Sequence, residues 1–211
     1  IFSSKMLIVV LTGFMSGLPL LLTGSTLQAW MKDEQVDLAM IGIFSIVGLP
    51  YTLKFLWSPM MDRYVPLGLG RRRSWMLITQ AALVGAIAAL GLTQPSQAPW
   101  TVAAVAVLVT FCSASQDIVL DAYRRELLSD NELGLGSSFY INGYRLAMLV
   151  AGAGALLLAD RMPWRYVYYV MAAVMALGLV ITLCAPESVD DVRAPTSLRQ
   201  AVIEPFLDYF R

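Results

Sequence analysis

Six long apolar stretches, Met6–Trp30, Ala39–Met60, Trp75–Thr93, Trp100–Leu120, Gly136–Ala159 and Val167–Ala185, occupy nearly the whole chain, with short polar connections between them. Each holds about the 20 residues that a helix needs to cross ~30 Å of hydrocarbon. In lipid only a helix or a closed barrel satisfies every backbone polar group, so the pattern predicts an all-α, polytopic membrane protein with six transmembrane helices. The first stretch is too long for a secretory signal, and more spans follow it. The pattern changes at Ala185-Pro186-Glu187, where proline stops the last span. Asp190, Asp191 and Pro195 make a polar linker, Ser197 suits an N-cap, and Leu198, Val202, Leu207 and Phe210 recur on one helical face. Residues 1–186 are thus expected to form an N-terminal six-helix bundle. Residues 187–211 are expected to form a cytoplasmic linker and an amphipathic interfacial helix leading into a second half. With Ile1 in place of an initiator Met, the chain reads as a piece of a longer protein.

Two echoes recur three segments apart. Phe14-Met15-Ser16-Gly17 resembles Phe111-Cys112-Ser113-Ala114, and Asp62-Arg63-Tyr64-Val65-Pro66 resembles Asp160-Arg161-Met162-Pro163. An odd repeat length implies three-plus-three inverted repeats, a plan of secondary transporters whose sites lie at broken helices near mid-membrane. Gly13, Gly17, Pro19 and Gly24 make the first segment the expected weak point. Basic residues set the orientation. Arg63, Arg71, Arg72, Arg73, Arg124 and Arg125 fall in the even loops, against Lys32, Arg161 and Arg165 in the odd ones. Both chain ends are therefore expected in the cytoplasm.

Composition narrows the chemistry. Fifteen basic and fifteen acidic residues cancel, which gives no sign of a nucleic-acid partner. There is no histidine, so His triads and His metal sites are excluded, and a proton carrier must be a carboxylate. No metal or cofactor is expected beyond a proton as coupling ion. Cys112 and Cys184 lie in apolar segments and read as small hydrophobes. No convincing nucleophile–base pair is present, so an enzyme is not expected. Trp30, Trp100 and Trp164 fall where an outer aromatic belt would place them.

Charge inside a span is costly and marks function by default. Lys54 lies roughly 12 Å and Arg145 roughly 13 Å inward from the cytoplasmic ends of their spans at 1.5 Å per residue. Asp117 lies about one turn inward. These three are expected to converge on one cavity, with Tyr51, Gln116 and Asn142 beside them, while Gln28 sits nearer the outer end of the first span. One negative and two positive groups suit a proton-coupled carrier of an anionic solute: Asp117 as proton carrier, Lys54 and Arg145 as anchors. Burial and neighbouring cations pull a carboxylate's proton affinity in opposite directions, so a conformational cycle can load and unload it. Asp121 and Arg125, spaced i,i+4, together with Asp62 and Arg63, form the expected inner gate.

Ser58-Pro59-Met60-Met61-Asp62-Arg63 followed by Gly70-Arg71-Arg72-Arg73 resembles the loop between the second and third helices of the major facilitator superfamily. Ser58 replaces the usual glycine, and about three additional residues precede Gly-Arg-Arg, which points to a subfamily. Ser16-Gly17-Leu18-Pro19, Thr26-Leu27-Gln28-Ala29-Trp30-Met31, Lys54-Phe55-Leu56-Trp57-Ser58-Pro59, the run Phe111–Val119 and Gly143-Tyr144-Arg145-Leu146 together resemble the AmpG-type muropeptide permeases of Gram-negative inner membranes. The resemblance covers nearly the whole chain as the N-terminal six-helix half.

The resemblance implies a multi-pass protein of the bacterial inner membrane with a twelve-helix core. It also implies proton-coupled import of N-acetylglucosaminyl-1,6-anhydro-N-acetylmuramyl (peptide) solutes for cell-wall recycling, linked to β-lactamase induction. Its partners would be an anionic muropeptide, membrane lipid and the C-terminal half. Lys54 and Arg145 suit the solute's carboxylates, and Gln116, Asn142 and Gln28 its hydroxyls and amides. Tyr51 and Tyr144 suit its sugar rings, and Gly17 a close approach at the path. The competing expectations are a carrier of acyl-CoA or another large anion, and a membrane receptor or scaffold that transports nothing.

Overall fold

The computed structural model describes residues 3–66 and 68–186; the expected tail of 187–211 lies outside them. Six helices are long and apolar enough to cross a membrane: α1 (Ser4–Asp33), α2 (Leu38–Leu56), α3 (Arg71–Gly91), α4 (Pro99–Leu127), α5 (Asp130–Ala159) and α6 (Trp164–Cys184). No strand occurs among the described residues. All six expected segments are present; α1, α4 and α5 outrun their apolar stretches, whereas α2 stops at Leu56, short of the expected Met60. α4 continues to Leu127 and α5 already begins at Asp130. Helical hydrogen bonding does not stop where hydropathy does, and Glu132 accepts from the Ser129 backbone N–H and hydroxyl to start α5.

α1 packs against α5, α4 and α6; α3 lies between α4 and α6; α2 packs on α4. Exchanging the first three helices for the last three maps this pattern onto itself. The α1–α5 pair becomes α4–α2, α3–α4 becomes α6–α1, and α3–α6 is unchanged. This is the contact symmetry expected of a three-plus-three repeat.

Irregular backbone is distributed differently from expectation. α1 breaks only at Gly24 (φ −96°, ψ −116°), while Gly13 and Gly17 stay helical and serve packing. A Cβ on Gly17 would stand 2.5 Å from the Tyr144 carbonyl oxygen, and one on Gly13 or Gly143 would strike the Tyr140 or Val10 carbonyl. The absence of side chains here lets α1 and α5 touch backbone to backbone. The least regular span is α2, with 3-10 turns at Phe44–Gly48 and Lys54–Leu56. Pro50, without an N–H, follows the first of them, and Thr110 of α4 donates to the Val47 carbonyl at 2.8 Å. α5 carries a π turn at Val150–Gly154, where Thr26 donates to the Ala151 carbonyl at 2.7 Å.

The expected tryptophan belt is only partly right. Trp100 is exposed, but Trp30 is buried, stacked on Trp164 at 6.1 Å and tilted against Tyr168 at 5.1 Å. The bend at Gly24 accompanies this inward placement of the last turns of α1.

Candidate functional site

Among the described residues a side-chain hydrogen bond joins α1 to α4 inside the bundle. Ser16 Oγ on α1 donates to Asp117 Oδ1 on α4 at 2.5 Å. The Lys54 charge acts on Asp117 through space, and no ion pair joins them among the described residues. Tyr51, Tyr140 and Tyr144 all lie within electrostatic reach of the same carboxylate. Tyr51 also donates to Ser113 Oγ at 2.9 Å. Asp117 thus sees groups from α1, α2 and α5 as well as its own helix.

Next to this cluster lies a cavity of about 210 Å³ lined by Thr23, Gly24, Gln28, Ser45, Gly48 and Tyr51 among others. It sits where α1 breaks and α2 turns 3-10, the kind of place where discontinuous helices hold transported solutes. Tyr51 connects the two features, since it lines the cavity and reaches Ser113 beside Asp117.

Other sequence-predicted residues lie elsewhere. Asn142 and Arg145 are exposed on α5, and Asn142 Nδ2 donates to the Ser138 carbonyl of its own helix at 2.9 Å. The buried stripe of α5 is Gly136, Tyr140, Gly143 and Ala147; positions 142 and 145 are rotated off it. Arg145 is not among the charges that act on Asp117, so the expected triad of charges reduces to Lys54 and Asp117. Gln116 is fully buried with neither amide atom partnered. One residue from Asp117 is a turn of about 100°, which carries Gln116 into the packed interior of the bundle. Gly17 meets Tyr144 at the α1–α5 contact.

The end of the bundle that carries Arg71 holds a second polar group. Arg72 bonds Asp62 at 2.6 Å and Glu126 at 2.6 Å, and Arg71 bonds Glu126 at 3.1 Å. Both arginines are buried. Of the expected gate, Asp62 belongs to this network, but Asp121 pairs with Arg124 at 3.1 Å instead of Arg125. The Arg124 guanidinium lies 4.3 Å over the Tyr140 ring, which holds it toward the bundle, while Arg125 reaches Asp130 at 2.8 Å. Arg63 lies over the Tyr64 ring at 5.7 Å.

Sequence reasoning passed over Ser16, Ser113 and Tyr140, and over Arg71, Arg72 and Glu126 as partners. A signal existed for the last group. Gly70 (φ 88°) opens α3 directly before Arg71, Arg72 and Arg73. Cations in a first helical turn oppose the helix dipole, so nearby carboxylates were to be expected. Ser16 carried no signal beyond its echo in Ser113 and its place in the Ser16-Gly17-Leu18-Pro19 motif.

Chemically, a serine hydroxyl can donate to a carboxylate or accept from a carboxylic acid. The Ser16–Asp117 contact can therefore survive both protonation states. A proton taken up at Asp117 would remove its attraction for Lys54, leaving that cation available to an anion.

Membrane-spanning helices in this contact pattern, with a carboxylate beside a cavity at a helix break, have the plan of one half of a secondary transporter. The family model described as Major Facilitator Superfamily matches residues 7–211, and the chain belongs to that family. It is 51% identical over 205 residues to the anhydromuropeptide permease of Escherichia coli (strain K12), an alignment covering 96% of this chain and 42% of the relative. It is 46% identical over 213 residues to an uncharacterized protein of Haemophilus influenzae, covering all of this chain and 50% of that one. These similarities bear out the AmpG-type resemblance drawn from the motifs. The chain spans about half the length of the curated relatives it matches.

Proposed function

We propose that the protein to which this chain belongs imports N-acetylglucosaminyl-1,6-anhydro-N-acetylmuramyl (peptide) solutes across the bacterial inner membrane, driven by protons. The observation that carries the coupling is the interior Ser16–Asp117 contact beside Lys54; the likeness to an anhydromuropeptide permease carries the solute class. Asp117 takes a proton when its side of the cycle faces the outer medium, and Lys54 then meets a carboxylate of the solute. Gln28, Ser45 and Tyr51 line the adjacent cavity, where hydroxyls and amides of the sugars find partners. Both chain ends face the cytoplasm, the arginine network closes the inner end, and a C-terminal half supplies the opposite wall. The import feeds cell-wall recycling and thereby β-lactamase induction.

The test is uptake of labelled anhydro-muropeptide by vesicles containing the full-length protein, with and without a protonophore. Uptake abolished by the protonophore supports the reading. Uptake indifferent to it removes the coupling, and no uptake of this solute at all removes the assignment.

A further inference from the structure

Two apolar hollows run end to end along α2 and share the ring pair Trp57 and Phe111. One, of about 320 Å³, is walled by Leu49, Leu53 and Val107. The other, of about 210 Å³, is walled by Met60, Trp75, Ile78 and Ala82. Trp57 packs on Phe111 with ring centroids 4.8 Å apart and donates to Ser115 at 3.0 Å. The lining runs from Ile46 in α2 to Met61 in the short helix Ser58–Arg63 that follows it; 15 residues at 1.5–2.0 Å each give roughly 20–30 Å of path, more than the ~15 Å of hydrocarbon in one leaflet.

The groove faces away from the transport site. On α4 it uses Val107, Phe111, Cys112 and Ser115, whereas Ser113 and Asp117 are two residues on from Phe111 and Ser115, about 200° around the helix. A second half completing the Asp117 cavity would lie on the other side, so the groove meets lipid. A further ring and a cation adjoin its Trp75 wall. Trp75 donates to the Tyr64 carbonyl at 2.7 Å, the Arg63 guanidinium lies over the Tyr64 ring, and Arg63 pairs with no carboxylate among the described residues. An arginine next to an apolar channel in a membrane has the chemistry to hold an anionic headgroup above an acyl chain.

We propose that this groove is a binding site for one anionic phospholipid, with an acyl chain along α2 past Trp57 and its phosphate at Arg63. The occupant would brace α2, which has 3-10 turns and few buried residues of its own, against α4 directly behind Asp117.

Native mass spectrometry of the full-length protein with phosphatidylglycerol or phosphatidylethanolamine tests the site. The wild type should retain one phosphatidylglycerol, preferred about fivefold through one cationic contact. Ala82→Trp fills the groove and should lose that lipid, whereas Ala81→Trp, on the exposed face of α3 outside the groove, should keep it. Arg63→Gln should keep a lipid but lose the preference. Retention of phosphatidylglycerol at wild-type level by Ala82→Trp overturns the site, and an unchanged preference in Arg63→Gln overturns the headgroup contact. Should Ala82→Trp fail to fold, phosphatidylglycerol with a brominated acyl chain gives a second readout on folded protein. It should quench wild-type fluorescence more than that of Trp57→Phe. Equal quenching, or an Ala82→Cys variant that cross-links to the C-terminal half, overturns the proposal.

Discussion

Replacing Gly17 with alanine tests the placement of the site most directly, because the outcome depends on a single distance. The new Cβ would stand 2.5 Å from the Tyr144 carbonyl oxygen, where backbone cannot yield by rotating a side chain. Ordinary contact requires α1 and α5 to separate by roughly 1 Å, which close-packed interiors resist at about 1–3 kcal/mol. Alanine recovers up to about 1 kcal/mol of helix propensity, so the net loss spans about 0–3 kcal/mol, centred on destabilisation. Gly85→Ala is the internal control. A Cβ there meets nothing within 4 Å, so the propensity gain stands alone and the variant gains up to about 1 kcal/mol. The assay is the thermal denaturation midpoint of full-length protein in one detergent, read beside solute uptake. Gly17→Ala should melt below wild type and Gly85→Ala at or above it. Gly17→Ala should also transport poorly, since α1 carries Ser16 and α5 carries Tyr140 and Tyr144 around Asp117. A Gly17→Ala variant as stable and active as Gly85→Ala would refute the backbone contact and the placement of the tyrosines that follows from it.

Asp117→Asn should abolish uptake driven by an imposed pH gradient while leaving solute exchange without a gradient measurable. Ser16→Ala removes a hydrogen bond to a charged group, worth about 1.5–3 kcal/mol, and should displace the pH dependence of uptake. An unchanged profile would count against the Ser16–Asp117 contact. Glu126→Gln leaves Arg72, itself buried, with one carboxylate fewer and should cost about 3–5 kcal/mol. Arg125→Gln, which breaks an exposed pair, should cost no more than about 1 kcal/mol; comparable melting temperatures for the two would disprove the network. Thr26→Val strands the Ala151 carbonyl at the π turn and should cost about 1–3 kcal/mol, read in the same melts; wild-type stability would show that the turn does not need its cross-helix donor.

How much of the site was legible depends on the kind of interaction. Asp117 and Lys54 stood out because charge within an apolar run is conspicuous wherever the helix points. Tyr51 followed from them by helical spacing. Arg145 was equally conspicuous and does not join them, because α5 is rotated so that its glycine stripe meets α1. Gln116 is a neighbour of Asp117 in the chain but looks inward. Ser16 was ordinary in composition and became significant only through its distance from a residue 101 positions away. The i,i+4 spacing within the expected gate of Asp62, Arg63, Asp121 and Arg125 pairs Asp121 with Arg125, whereas Arg124, held over the Tyr140 ring, is the arginine that bonds Asp121.

Hydropathy by itself determined that this chain makes six membrane-spanning helices, because transfer of apolar side chains and backbone satisfaction in lipid are properties of short segments. Local motifs were enough to reach the family. Which polar groups share a cavity was decided only by tertiary structure. Each residue turns a helix by about 100°, and the rotation of each helix is set by where glycine stripes and aromatic rings let its neighbours come close.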